Sequence, residues 1–148
     1  MLKKVQNYNE TEEFGKYKMD LIKEHQYYAN KLGLYDMVVD KYNINDALRH
    51  IGQKNYYQFL IMHDNQSIGM VEYKIEKSEI DNRDILYLKD IYMKKEFRGI
   101  GFGRKVFNEL KKLKYRIELE CWYSMPANNF YKSLGGKELK TRYMIDSE

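Results

Sequence analysis

The sequence contains one cysteine, one proline, one tryptophan and three histidines among 148 residues. With Cys121 alone, no internal disulfide can form, and a reducing, cytoplasmic compartment is expected. His25, His50 and His63 are scattered and offer no paired ligand spacing, so no metal site is expected. No stretch approaches the roughly 20 apolar residues of a membrane span. Residues 1–8 lack the apolar segment of a signal peptide, so neither membrane nor export is expected. There is no repeat, low-complexity tract or Pro/Gly/Ser-rich linker, which predicts one domain over residues 1–148. A strong excess of one charge is also missing. The net charge is +4, and no basic stripe accompanies the tyrosine pairs Tyr27-Tyr28 and Tyr56-Tyr57. Stacking on bases would need such a stripe, so these pairs read as core and rim aromatics and no nucleic-acid partner is expected.

What is present is the composition of a soluble globular chain, 43% hydrophobic and 32% charged. Phe14, Tyr17, Leu21 and Tyr28 recur at helical spacing and predict a helix over about 10–30. Asn9 is the expected cap, with Glu12 three positions on, and Gly33 the stop. Residues 34–44 show no period and read as loop. A short helix follows Asn45 and ends at Gly52. Strands are expected over 57–62 and 68–75, joined at Asp64-Asn65-Gln66-Ser67 into a hairpin, and over 85–93 after a turn at 81–84. A helix then carries Val106, Phe107, Leu110 and Leu113 on one face. A strand over 116–123 follows through that helix and is expected parallel to the one before it. Pro126 suits the first turn of another helix, with Ala127, Phe130, Tyr131 and Leu134 facing inward and Gly135-Gly136 ending it. A last strand is expected near 140–145. The order describes an α/β (α+β) fold with a mixed sheet.

The unit at 85–114 carries the clearest chemistry. Closely spaced glycines before a helix let the backbone approach an anion and present unpaired N–H groups to it, with the helix dipole adding about half a positive charge. Arg98 and Arg104 flank the loop, and Lys94, Lys95 and Lys105 lie close by, all suited to phosphate oxygens. The spacing G-x-G-x-G, two-thirds along the chain, is not the dinucleotide loop of a first βα unit. Arg104-Lys105-Val106 also fails the P-loop ending.

Asp90-Ile91-Tyr92-Met93-Lys94-Lys95-Glu96-Phe97-Arg98-Gly99-Ile100-Gly101-Phe102-Gly103 closely resembles the acetyl-CoA signature of the GNAT N-acetyltransferase superfamily. That signature is an apolar strand, a short turn, then R/Q-x-x-G-x-G/A opening a helix. Arg98, Gly101 and Gly103 match its fixed positions. A second family block, N-x-x-A-x-x-F-Y-x-x-x-G-F, resembles residues 124–136, with Ala127, Phe130, Tyr131 and Gly135 matching. Ser124 replaces the usual Asn and Gly136 the usual aromatic. The resemblance is strong from about 57 to 145 and weak before that.

The resemblance implies a single acyl-CoA N-acyltransferase fold: a mostly antiparallel sheet with a central parallel pair, flanked by helices. Residues 1–56 would form a helical acceptor side, and 57–145 the sheet and CoA-binding core. It implies acetyl-CoA as cosubstrate and a small-molecule or peptide amine as acceptor, and it leaves room for a homodimer. The amine would attack the thioester directly. Backbone N–H groups of Ile91, Tyr92 and Met93 would hold the pantetheine arm and polarise the carbonyl. The loop from Arg98 through Gly99, Ile100, Gly101, Phe102, Gly103 and Arg104 would hold the pyrophosphate, with Ser124, Asn128 and Tyr131 also against the cofactor. Tyr131 would protonate the leaving thiolate. The base is expected to be Asp90, on the strand aimed at the thioester, with Glu120 second. Strand alternation puts Asp90 on the face of Leu86, Leu88 and Tyr92 unless a bulge intervenes. Tyr35, Asp36, Asp40 and Tyr42 are expected acceptor contacts, from their position and from the attraction of carboxylates for an ammonium group. Cys121 has no thiolate-stabilising neighbour in sequence and reads as a buried strand residue. The alternative is a module of this fold that binds CoA or a protein without catalysis.

Overall fold

A computed structural model describes residues 1–35 and 43–147. The elements run β1 (Leu2–Lys4), α1 (Tyr8–Asn30), α2 (Ile44–Arg49), β2 (Tyr56–His63), β3 (Gln66–Lys77), β4 (Asp84–Met93), a 3-10 turn (Lys95–Phe97), α3 (Phe102–Lys111), β5 (Arg116–Leu119) and α4 (Ala127–Ser133). The strands form one sheet in the order β1-β2-β3-β4-β5. All neighbours are antiparallel except β4 and β5, as expected for strands joined through a helix.

Several local expectations change. The cap of α1 is Asn7, not Asn9. Its side chain accepts from the Glu10 N–H at 2.9 Å, while Glu10 accepts from the Gln6 N–H. Asn43 caps α2 in the same way. The sheet gains β1, three residues too short to show a period, which pairs Leu2–Lys4 with Phe59–Ile61. The strand expected over 116–123 stops at Leu119, and residues 140–145 form no strand. The parallel pair therefore lies at one edge of the described sheet rather than at its centre. The β2–β3 turn is tighter than expected, with Asp64 and Asn65 both at positive φ, the conformation that matches the twist of a two-residue hairpin.

The sheet is covered on both faces. On one, Phe14, Tyr17 and Leu21 of α1 pack with Val5, Leu60, Met70 and Tyr92. On the other, Phe102, Val106, Phe107 and Leu110 of α3 pack with Ile61, Ile68, Val71, Tyr73, Leu86 and Leu88, and Phe130 and Tyr131 of α4 join them with Leu134, which follows it. Between Asp90 and Leu88, β4 carries an unpaired extra residue, Lys89. Glu72 pairs with Asp90, and the next residue of β3, Tyr73, pairs with Leu88. This bulge changes the phase of the strand. Leu86 and Leu88 face α3, whereas Tyr92 faces α1. Asp90 reaches Lys18 of α1, so it shares a face with Tyr92 but not with Leu86 and Leu88.

Candidate active site

The pairing of β4 with β5 ends at Leu88 and Leu119. Beyond the bulge at Lys89, the last four residues of β4 pair with β3 alone. The Lys94 N–H donates to the Ile68 carbonyl at 2.8 Å. In an antiparallel ladder every second residue bonds to the same neighbour, so Tyr92 and Asp90 also address β3. Ile91 and Met93 turn their N–H and C=O groups the other way, into the space that β5 has left. The Met93 carbonyl there accepts from Arg98 Nε at 2.7 Å.

The chain then reaches the glycine loop. Gly99 and Gly101 sit at φ 76° and 100°, where a side chain is strained. Gly101 is the N-cap of α3, and no side chain caps that helix. Its first-turn N–H groups are thus left for an anion. Gly103 lies against α4: a Cβ there would stand 3.0 Å from the Phe130 ring. Ile100 is exposed and Phe102 is buried beneath the loop. Arg104 donates to Ser133 Oγ at 3.3 Å, from α3 to α4.

Arg98 does not project freely into solvent. Its guanidinium contacts Glu24 of α1 at 2.6 Å and lies 5.2 Å from the centre of the Tyr92 ring. It ties the loop to the helix on the other face of the sheet. Asn128 is similarly occupied, donating from Nδ2 to the carbonyls of Trp122, Tyr123 and Met125. These bonds bracket the turn into α4, a task its family-block position did not reveal. Ser124 Oγ donates to the Tyr28 carbonyl at 3.3 Å.

Tyr131 lies on α4 among Phe107 and Phe130. Burial pushes its hydroxyl well above the usual tyrosine range, with the charges of Cys121 and Asp90 adding to the effect. Tyr131 stands on the α3 face of the sheet and Asp90 on the α1 face. Burial also raises the Asp90 carboxyl, opposed by Lys18 and assisted by Glu72. Glu120, just beyond β5, is exposed. Cys121 lies past the end of β5 and is half-buried; burial raises its thiol, which keeps it protonated.

Several neighbours of Asp90 gave no sequence signal. Glu72 of β3 is fully buried and meets Lys18, Lys89 and Tyr56. His25 of α1 is lowered by burial, with Asp90 and then Glu24 working against that shift. These residues lie between 18 and 72 positions from Asp90 in sequence, apart from Lys89, and only the packing of α1 on the sheet unites them. Of the expected acceptor contacts, Tyr35 is exposed and its carbonyl accepts from Gln26. Asp36, Asp40 and Tyr42 lie outside the described residues. Among the described residues no cluster of His, Cys, Asp and Glu could hold a metal ion, and no helix is long and apolar enough to cross a membrane.

The strand edge exposed by the parting of two parallel strands ends at a glycine-opened helix N-terminus. The model of the acetyltransferase (GNAT) domain family matches residues 54–135, more than half of the chain, and the chain belongs to that family. Thialysine N-epsilon-acetyltransferase of Sus scrofa is 33% identical over 61 residues, covering 36% of this chain and 35% of that protein. The chain thus matches about a third of that relative's length. The tetramutant of the BH1408 protein from Bacillus halodurans has the same fold, with a TM-score of 0.81 at 15% identity over 99% of both chains. The aminoglycoside acetyltransferase AAC(6')-Iy, in complex with the bisubstrate analogue CoA-S-monomethyl-acetylneamine, gives 0.74 at 12% identity, over 100% of this chain and 97% of that one.

Proposed function

We propose that this protein transfers an acetyl group from acetyl-CoA to a primary amine by direct attack within a ternary complex. The observation that carries this reading is the gap between β4 and β5. There the Ile91 and Met93 N–H groups point away from β3, Tyr131 lies on one side and Asp90 on the other, and α3 opens without a side-chain cap. These donors fit acetyl-CoA: strand amides suit the amide-bearing pantetheine arm, and the amides of residues 99–104 suit the pyrophosphate. Bound acetyl-CoA would supply an activated acyl group. The complex of AAC(6')-Iy with an analogue that joins CoA to a modified neamine supports CoA and an amine as the two ligands.

The residues then divide the work. Ile91 and Met93 donate to the cofactor arm and stabilise negative charge developing on the carbonyl oxygen. Asp90, raised by burial, accepts the ammonium proton directly or through a water. Tyr131 keeps its proton at neutral pH and donates it to the departing sulfur. The acceptor enters from the side of residues 1–56, where Tyr35 is exposed; contact with Asp36, Asp40 and Tyr42 is proposed from residue type alone. Glu120, exposed beyond β5, is a weaker candidate for base.

The test is to incubate the protein with acetyl-CoA and a panel of polyamines, aminoglycosides, lysine analogues and peptide N-termini, following thiol release. Turnover with any amine supports the reading. Acetyl-CoA binding without turnover across the panel would instead favour a binding module of this fold.

A further inference from the structure

Glu72 is a carboxylate with no exposed surface, in the middle of β3 and paired in register with Asp90. The Lys18 ammonium stands 3.1 Å from Glu72 and 3.5 Å from Asp90. Lys89 reaches Glu72 from the bulge at 3.3 Å, and the Tyr56 hydroxyl donates to it. Tyr56 in turn stacks on His50 with ring centres 4.1 Å apart. Three donors from α1, β2 and β4 therefore converge on one buried carboxylate. Neither the sheet nor the core needs a charge there, and a buried ion pair is on average no better for stability than an apolar replacement.

We propose that Glu72 is a positioning residue for Asp90: by holding the Lys18 and Lys89 ammonium groups on itself, it keeps them from neutralising Asp90, which stays able to take a proton from the acceptor amine. The proposal rests on the reading of Asp90 as base. The arrangement is a competition for one cation. Lys18 sits between two carboxylates and lies nearer to Glu72, which also has the two other donors. The charges and titrating groups facing Asp90 are Lys18 and His25 on α1, Glu72 on β3, Lys89 on its own strand, Tyr56 on β2, Tyr87 on β4 and Tyr131 on α4. Glu72 is held below the usual carboxylate range by Lys18, Tyr56 and Lys89 acting against its burial.

The competition makes predictions of opposite sign. In Glu72→Gln the lysines turn to Asp90, which then titrates at lower pH. In Lys18→Met, Asp90 loses its nearest cation and titrates at higher pH. Glu72→Gln combined with Lys18→Met brings it back toward the starting value, and Lys18→Arg leaves it nearly unmoved. The carboxyl carbon of Asp90, followed by NMR against pH in the intact protein, reads this without any acceptor, and the imidazole of His25 is followed separately. With an accepted amine, turnover at neutral pH falls about three- to tenfold in Glu72→Gln, because base catalysis follows basicity. The low-pH limb of kcat/KM moves in the same direction as the NMR titration. If the single variants shift Asp90 the same way, or not at all, the positioning role is wrong. If they shift it oppositely while the kinetic limb stays fixed, the role of Asp90 as base fails instead. Should Glu72→Gln not fold, Lys18→Met and Lys18→Arg, at a partly exposed position, decide the matter: no upward shift in the first overturns the proposal.

Discussion

At the scale of single residues, Asp90 and Glu72 face each other across one ladder position with opposite consequences for stability. Burial raises Asp90, so its ionised form is disfavoured in the fold. Its contribution is present below the ordinary carboxylate pKa and lost as pH rises through the raised value. Asp90→Asn should therefore cut turnover near pH 7 by about 10² while holding or raising the urea midpoint there, with the stability gain vanishing in acid. A loss of midpoint at pH 7 would show that Asp90 is a structural ion pair. Glu72 is lowered by its partners. Its contribution is present above the ordinary carboxylate pKa and lost as pH falls, so the stability advantage over Glu72→Gln should shrink in acid. Tyr131→Phe, which keeps the ring, should lower turnover by about 10² to 10⁴ with acetyl-CoA affinity little changed. Asp90 and Tyr131 stood out in the sequence because each stands in or beside a family block. Lys18, Glu24, His25 and Glu72 did not, because their meaning depends on which face of the sheet α1 covers. The assignment of Asp90 to the face of Leu88 failed on the single extra residue Lys89, and a bulge has no signature in an alternating pattern of side chains.

At the scale of elements, the glycine loop is where local sequence and local structure agree most closely. Gly101 at φ 100° starts α3. Gly101→Val would place a β-branched side chain in a left-handed backbone at a cost of about 1–2 kcal/mol, and over the N–H groups that an anion would use. The expected result is a loss of acetyl-CoA affinity of more than about tenfold, about 1.4 kcal/mol, by calorimetry. Unchanged affinity would remove the pyrophosphate from this loop. The long strands and α3 were legible from period and punctuation. The missed strand β1 is held by pairing with Phe59–Ile61, a contact nearly 60 residues away, and no local rule reports it. Residues 140–145 show the converse. A strand was expected there, but the segment forms none, and composition alone supplies no neighbour to pair with.

At the scale of the whole molecule, two apolar layers hold the sheet between α1 on one side and α3 with α4 on the other. Phe14 is fully buried in the first layer, and Phe14→Ala should cost about 3–5 kcal/mol in urea unfolding. A cost under about 1 kcal/mol would mean that α1 is only loosely docked. Periodicity gave α1 and α3 one apolar stripe each, and the structure shows which face of the sheet each stripe covers. What periodicity could not give is the point at which β5 stops following β4, because strands part where later chain leads one of them away. That parting has a consequence in isotope exchange. The amides of Ile91 and Met93 sit between two packed layers, yet among the described residues no neighbouring strand takes their hydrogens. In the unliganded protein they should swap hydrogen for deuterium far faster than the amides of Tyr92 and Lys94 on the same stretch of chain, since protection follows bonded partners rather than depth. Added acetyl-CoA should slow those two sites selectively, recording the cofactor arm as a temporary sixth strand.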